Sequence, residues 1–153
     1  MSATLTQRIA TFLHLGKMPL NILGQISSEG EILYSAEGIG ETVILRSFRA
    51  PGHYASRRKM AFVGYFAITE RRIVARAGAY NCIGINVSFD DPRFQQLEFK
   101  ATEKYLCIAY DASIQADNMS GQVEIRLHLP DIDKAARILA EKGARIDTPS
   151  LAH

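Results

Sequence analysis

From Glu31 to Leu129 the chain keeps a two-residue rhythm, and this habit restricts its fold more than any other feature. In "QVEIRLHL", Val123, Ile125, Leu127 and Leu129 oppose Gln122, Glu124, Arg126 and His128. In "QLEFKA", Leu97, Phe99 and Ala101 oppose Glu98 and Lys100, and in "CIGINVSF", Ile83, Ile85, Val87 and Phe89 share one face. Successive strand side chains point to opposite faces, so this pattern sets one face in a core and one in water, the habit of antiparallel sheets. Ile32–Ala36, Thr42–Phe48, Lys59–Ile68, Arg72–Ala77 and Leu106–Ala109 read as further strands. Turn-forming stretches punctuate them: "EGIGE", "APGHYAS", "TER", "AGAYN", "DDPR", "TEK" and "ADNMSG". Connections this short leave no room for parallel crossovers, which need a dozen or more residues. The expectation is a mainly β chain: seven or eight antiparallel strands in a curled sheet or partly open barrel.

The rhythm becomes helical at both ends. In "LPDIDKAARILAEKGAR", Asp131 is placed to cap a helix over 131–143, and Gly143 to stop it. Its stripe of Ile132, Ala135, Ala136 and Leu139 is suited to plug the open mouth of the sheet. Leu5, Ile9, Phe12 and Leu13 predict an N-terminal helix, and a second short helix is expected over Leu20–Gln25. The domain plan is a helical extension over 1–29, a β domain over 30–145 and a tail over 146–153.

At 153 residues the chain fits a single domain with a core of its own. No apolar run approaches the ~20 residues of a membrane helix. The N-terminal "MSATLTQRIATFLHLGKM" lacks the order of a secretory signal. A cytoplasmic location, peripheral to a membrane at most, is expected. Cys82 and Cys107 read as reduced thiols packed like small hydrophobes.

Charge is unevenly spread. Between Arg46 and Arg76 eight basic residues face Glu70 alone, a net +7 that leaves −5 elsewhere out of the overall +2. Arg49, Arg57, Arg58, Lys59, Arg71 and Arg72 are the candidates for holding an anion such as a lipid headgroup or phosphate. The competing reading is a solvated rim, and a strand of some nine residues, about 30 Å, separates Arg57–Lys59 from Arg71–Arg72. Tyr54, Tyr65 and Phe66 stand near these charges, but Phe66 alternates with Phe62 and Ile68 as core. A pI near 8.6 also weighs against nucleic acid.

Enzyme chemistry finds little support. His14, His53, His128 and His153 lack metal-ligand spacing, and Asp90-Asp91 before Pro92 reads as a turn. Ser56 or Cys107 as a nucleophile lacks an identifiable base. "EGIGE" has neither the lysine nor the following helix of a phosphate-cradling loop. No catalytic residue, metal or cofactor is assigned. The expected role is a binding or scaffolding module that recognises protein partners or its own copies through a sheet edge or the groove beside the last helix. The charge split offers head-to-tail self-association as one route. Bulky inward residues argue for a filled interior over an internal apolar ligand.

"GYFAITERRIVA", an apolar strand, a Thr-x-x-Arg turn and a second apolar strand, resembles bacterial pleckstrin-homology and GRAM-type domains. "GEILYSAEGIGETVIL" is similar to the way those domains begin. The likeness covers about residues 30–143 and implies the pleckstrin-homology-like superfold, a curled meander closed by a C-terminal helix. Members that grip phosphoinositides place basic residues around the loop joining their first two strands. Here that loop is read as "AEGIGET", which holds Glu37 and Glu41 and no Lys or Arg. The chain also lacks the tryptophan that many eukaryotic members carry in the final helix.

Overall fold

The computed structural model describes residues 17–77 and 84–147. The helix expected from Leu5 to Leu13, and Cys82, His14 and His153, lie outside the described residues. In chain order the elements are α1 (Leu20–Glu29), β1 (Ile32–Ala50), β2 (His53–Thr69), β3 (Arg72–Ala77), β4 (Gly84–Ser88), β5 (Glu98–Ala101), β6 (Leu106–Asp111), β7 (Ser120–Leu127), α2 (Ile132–Glu141) and β8 (Ile146–Asp147). Short 3-10 turns at Pro92–Gln96 and Ala112–Ile114 precede β5 and β7.

The strands form one curled half-barrel sheet in the order β4-β3-β2-β1-β7-β6-β5-β8. Two meanders, β1–β4 and β5–β7, join along the antiparallel β1–β7 ladder, where Val43 faces Ile125 and Leu45 faces Val123. The alternating apolar positions named above supply the concave core: Val43, Leu45, Phe66, Ile68, Ile108, Val123, Ile125 and Leu127 are all buried. α2 crosses the mouth with Ala135 and Leu139 fully buried. Asp131 caps it by accepting from the Lys134 amide at 3.1 Å, and Tyr34 Oη accepts from the Asp131 amide at 3.3 Å.

Three differences from the sequence expectation have physical causes. The first two expected strands are one 19-residue strand. Gly38 adopts φ +64°, and the register shifts between Glu37 and Ile39. The glycine makes a bulge that the strand runs through, where a reversal was expected. The first reversal lies at Pro51–Gly52 instead, between Ala50 and His53, with Gly52 at φ +76°. Proline fixes one φ and glycine supplies the left-handed one, as a tight turn requires. The loop joining the first two strands is therefore not "AEGIGET". Finally, β8 pairs parallel to β5, Phe99 facing Ile146, so the sheet is mixed. The short-connection argument holds for successive strands, whereas β8 reaches β5 only after β6, β7 and α2 have carried the chain back.

The stretch from Gly64 to Thr69 is buried on both faces. Phe66 and Ile68 enter the main core, while Tyr65 and Ala67, with Val74 of β3, form a second cluster beneath Met18 and Ile26 of the α1 segment. At the β2–β3 tip, Thr69 Oγ1 accepts from the amides of Arg71 and Arg72 at 3.1 and 3.0 Å. The "TEK" turn between β5 and β6 repeats the device, Thr102 Oγ1 accepting from Lys104 and Tyr105 at 3.2 and 3.1 Å. In both, a hydroxyl satisfies backbone donors that a tight reversal exposes.

Candidate anion-docking surface

From Val63 toward His53, β2 runs past the end of its pairing with β3 while staying paired with β1. Its pairing with β3 spans only Gly64–Ile68, so on that side the stretch Tyr54–Lys59 has no ladder partner among the described residues. On its other side β2 pairs with β1 up to the Pro51–Gly52 turn. Arg46, Arg49, Arg57, Arg58 and Lys59 are all exposed on this arm. Because β1 runs unbroken to Ala50, the basic residues lie on the two strands that flank the first strand–strand loop.

Their faces follow from the register. Arg57 pairs with Arg46, Arg58 with Leu45 and Lys59 with Ile44. Directly opposed residues share a face. Leu45 belongs to the core, so Arg58 sits on the concave rim, while Arg57 and Lys59 take the convex face with Arg46. A bulge twists the arm: the β1–β7 register shifts between Arg46 and Arg49, and Ser47 takes φ 51°. Gly121, at φ +99°, lies against the Ser47 carbonyl where a Cβ would collide.

The charges are not equally available. Arg46 pairs with Glu124 at 3.2 Å, and Glu124 also accepts from Arg126 at 2.7 Å. Burial works to raise the Glu124 pKa, but its hydrogen bonds and charge attraction to Arg126 and Arg46 together hold it below the usual carboxylate value. Arg49 lies 5.3 Å from the ring of Tyr54, its cross-strand partner, and Tyr54 is 66% exposed. Arg57, Arg58 and Lys59 have no carboxylate within ion-pair distance among the described residues.

The other two predicted residues are placed elsewhere. Arg71 and Arg72 stand at the far end of β2, roughly 30 Å from Lys59 at ~3.3 Å per residue. Arg72 closes on Glu29 of α1 with two bonds, Nε to Oε2 at 2.6 Å and Nη2 to Oε1 at 2.8 Å, and donates to Asn86 at 2.8 Å. The Arg72 hydrogen bond holds the Glu29 pKa below its ordinary value. Arg71 is exposed. The six candidates thus divide into an open group of four and a pair at the anchored end of the strand.

Among the described residues, Cys107 lies in β6, His128 just after β7 and Asp91 just before the 3-10 turn at Pro92–Gln96. Cys107 is buried, and its thiol is pushed up to about 12, by burial first and then by the Glu124 charge. That is the wrong direction for a thiolate nucleophile. His128 is half-buried rather than exposed, near Thr42 Oγ1 at 3.4 Å and the Lys104 carbonyl at 3.3 Å. Asp91 caps the 3-10 turn by accepting from the Arg93 amide at 2.9 Å. Among the described residues no three His, Cys, Asp or Glu side chains gather as metal ligands, and no helix is long and apolar enough to cross a membrane.

Glu41 escapes the sequence reading. It is 2% exposed, on the concave face with Val43 and Leu45, and neither carboxylate oxygen has a hydrogen-bond partner among the described residues. Burial raises its pKa to about 9. Room for it comes from Gly64, where a Cβ would overlap both the Glu41 carboxylate and the Arg76 carbonyl. The usable clue is its place in the alternation Ile39, Glu41, Val43, Leu45, which reading "AEGIGET" as a loop conceals.

Compared with known proteins, the chain matches no family model, no curated protein and no solved structure.

Proposed function

We propose that this chain is a non-catalytic recognition module of the pleckstrin-homology-like type, docking on an anionic partner through the basic arm of β1 and β2. One observation carries the reading: Arg57, Arg58 and Lys59 stand exposed on the strand that leaves the first turn, close to Arg49, and without an acidic partner among the described residues. Cations left unneutralised on an exposed strand edge attract anions over a Debye length and hold them by charge-assisted hydrogen bonds. Two supports come from the fold. The curled meanders with a helix across the mouth agree with what the sequence resemblance implies. The basic residues also flank the first strand–strand loop, where headgroup-binding members carry theirs. The dispersion of the described histidine, cysteine and carboxylate side chains supports a binding role over catalysis.

The test is binding to two anionic probes, vesicles containing phosphatidylserine and labelled polyglutamate, at low and high salt. At least one should bind, more weakly as salt rises, and a variant combining Arg57→Ala, Arg58→Ala and Lys59→Ala should lose that binding. Equal binding by the triple variant, or no binding to either probe, sinks the reading.

A further inference from the structure

We infer that the anionic partner is an acidic protein segment in extended conformation, which adds a strand to the outer edge of β2 along Tyr54–Lys59. The inference rests on the basic-arm reading and specifies its occupant. The first ground is the backbone. Tyr54–Lys59 has ladder pairing with β1 on one side and none on the other among the described residues. An open edge presents a row of unpaired amides and carbonyls, which is a template for an added strand. Six residues span about 20 Å, the length of an ordinary strand.

The second ground is where the charges lie. Arg57 and Lys59 project from the convex face and Arg58 from the concave rim, so the cations straddle the edge. A flat anionic surface laid on one face of the hairpin reaches Arg57 and Lys59 or Arg58, but not all three. A strand alongside the edge turns alternate side chains to both faces, and acidic residues on it meet all three cations. The third ground excludes a symmetric pairing of two copies through this edge. Pairing two β2 edges sets three cations against three, and like charges across a ladder are destabilising. The same arginines and lysine that repel a second β2 edge select an acidic strand.

The experiment uses the full chain and two labelled decapeptides. One carries a run of glutamates between valines, so that acid falls on both faces of an added strand; the other is its N-methylated counterpart, equal in charge but without backbone donors. The first should bind, the second about tenfold or more weakly, and alternate amides within Tyr54–Lys59 should exchange more slowly in the first complex. Equal binding of the two peptides overturns strand addition and leaves the basic-arm reading standing. Binding to phosphatidylserine vesicles with no binding of either peptide makes the occupant a lipid surface, which also overturns this inference alone. Absence of binding to peptides and vesicles alike removes both readings.

Discussion

At the Thr69 end of β2 the backbone of the turn bonds to a buried hydroxyl, Arg72 clamps Glu29, and α1 covers Tyr65 and Ala67. At the His53 end the same strand carries Arg57, Arg58 and Lys59 exposed, with no described element laid over them. The two ends share a chain segment and a sign of charge, and differ in what covers the sheet. Where a helix lies on the outer face, a basic side chain becomes part of the fastening. Where none does, it remains available to a partner. Proximity to other arginines in the sequence is thus a poor guide to function; the layer above the strand decides.

The contrast can be broken in four places. The largest effect is expected in the anchored half. Phe66→Ala, removing a ring that is fully buried, should cost about 3–5 kcal/mol of unfolding free energy in urea titration. Arg58→Ala should stay within about 0.5. Comparable losses from the two would mean that the arm is packed after all.

At the boundary between the halves, Glu41 gives a pH-dependent effect. Its carboxyl stays protonated in the folded chain up to about 9, whereas in the unfolded chain it ionises near its ordinary value of 4.5. The folded state therefore retains the proton through that window. Stability is fullest below pH 4.5 and declines as pH rises, by about 1.4 kcal/mol per unit until the folded pKa is reached. Glu41→Gln should abolish this decline between pH 5 and 7 (about 3 kcal/mol). An unchanged slope in the variant would show that the carboxyl is already ionised in the fold.

A smaller loss is expected on unfastening α1. Arg72→Ala should lower Tm and speed amide exchange over Leu20–Glu29, while Arg71→Ala leaves the helix protected. Equal exchange in the two variants would deny Arg72 its special place. The least effect on stability should come from the arm itself: the triple alanine variant at Arg57, Arg58 and Lys59 should melt within a few degrees of the parent while losing anionic partners. A large drop in Tm would recast those residues as structural.

Much of the second meander was readable from the chain. The alternation in Leu97–Ala101 and Val123–Leu129 named the core face, and the Asp131 cap with the Ile132–Leu139 stripe named the closing helix, because packing there follows local periodicity. The first strand was not readable in the same way. A glycine that bulges inside a strand and one that turns a hairpin look alike in sequence, and only cross-strand pairing separates Gly38 from Gly52. That confusion displaced the first loop, hid Glu41 inside an expected turn, and separated the basic residues from the loop they flank. The candidates Arg49, Arg57, Arg58 and Lys59 were visible as charge. The withdrawal of Arg72 was not, since its partner Glu29 lies 43 positions away in a helix expected to end at Gln25.

The junction of the two meanders has a kinetic consequence. Val43 meets Ile125 across 82 positions of chain, and the sheet becomes continuous only when that encounter succeeds. Each meander can zip from its own local turns, but the union must await a diffusive search by distant segments. Refolding of this protein should accordingly be slow for its size, and its slowest step should be governed by substitutions along β1 and β7 rather than by those in either hairpin tip.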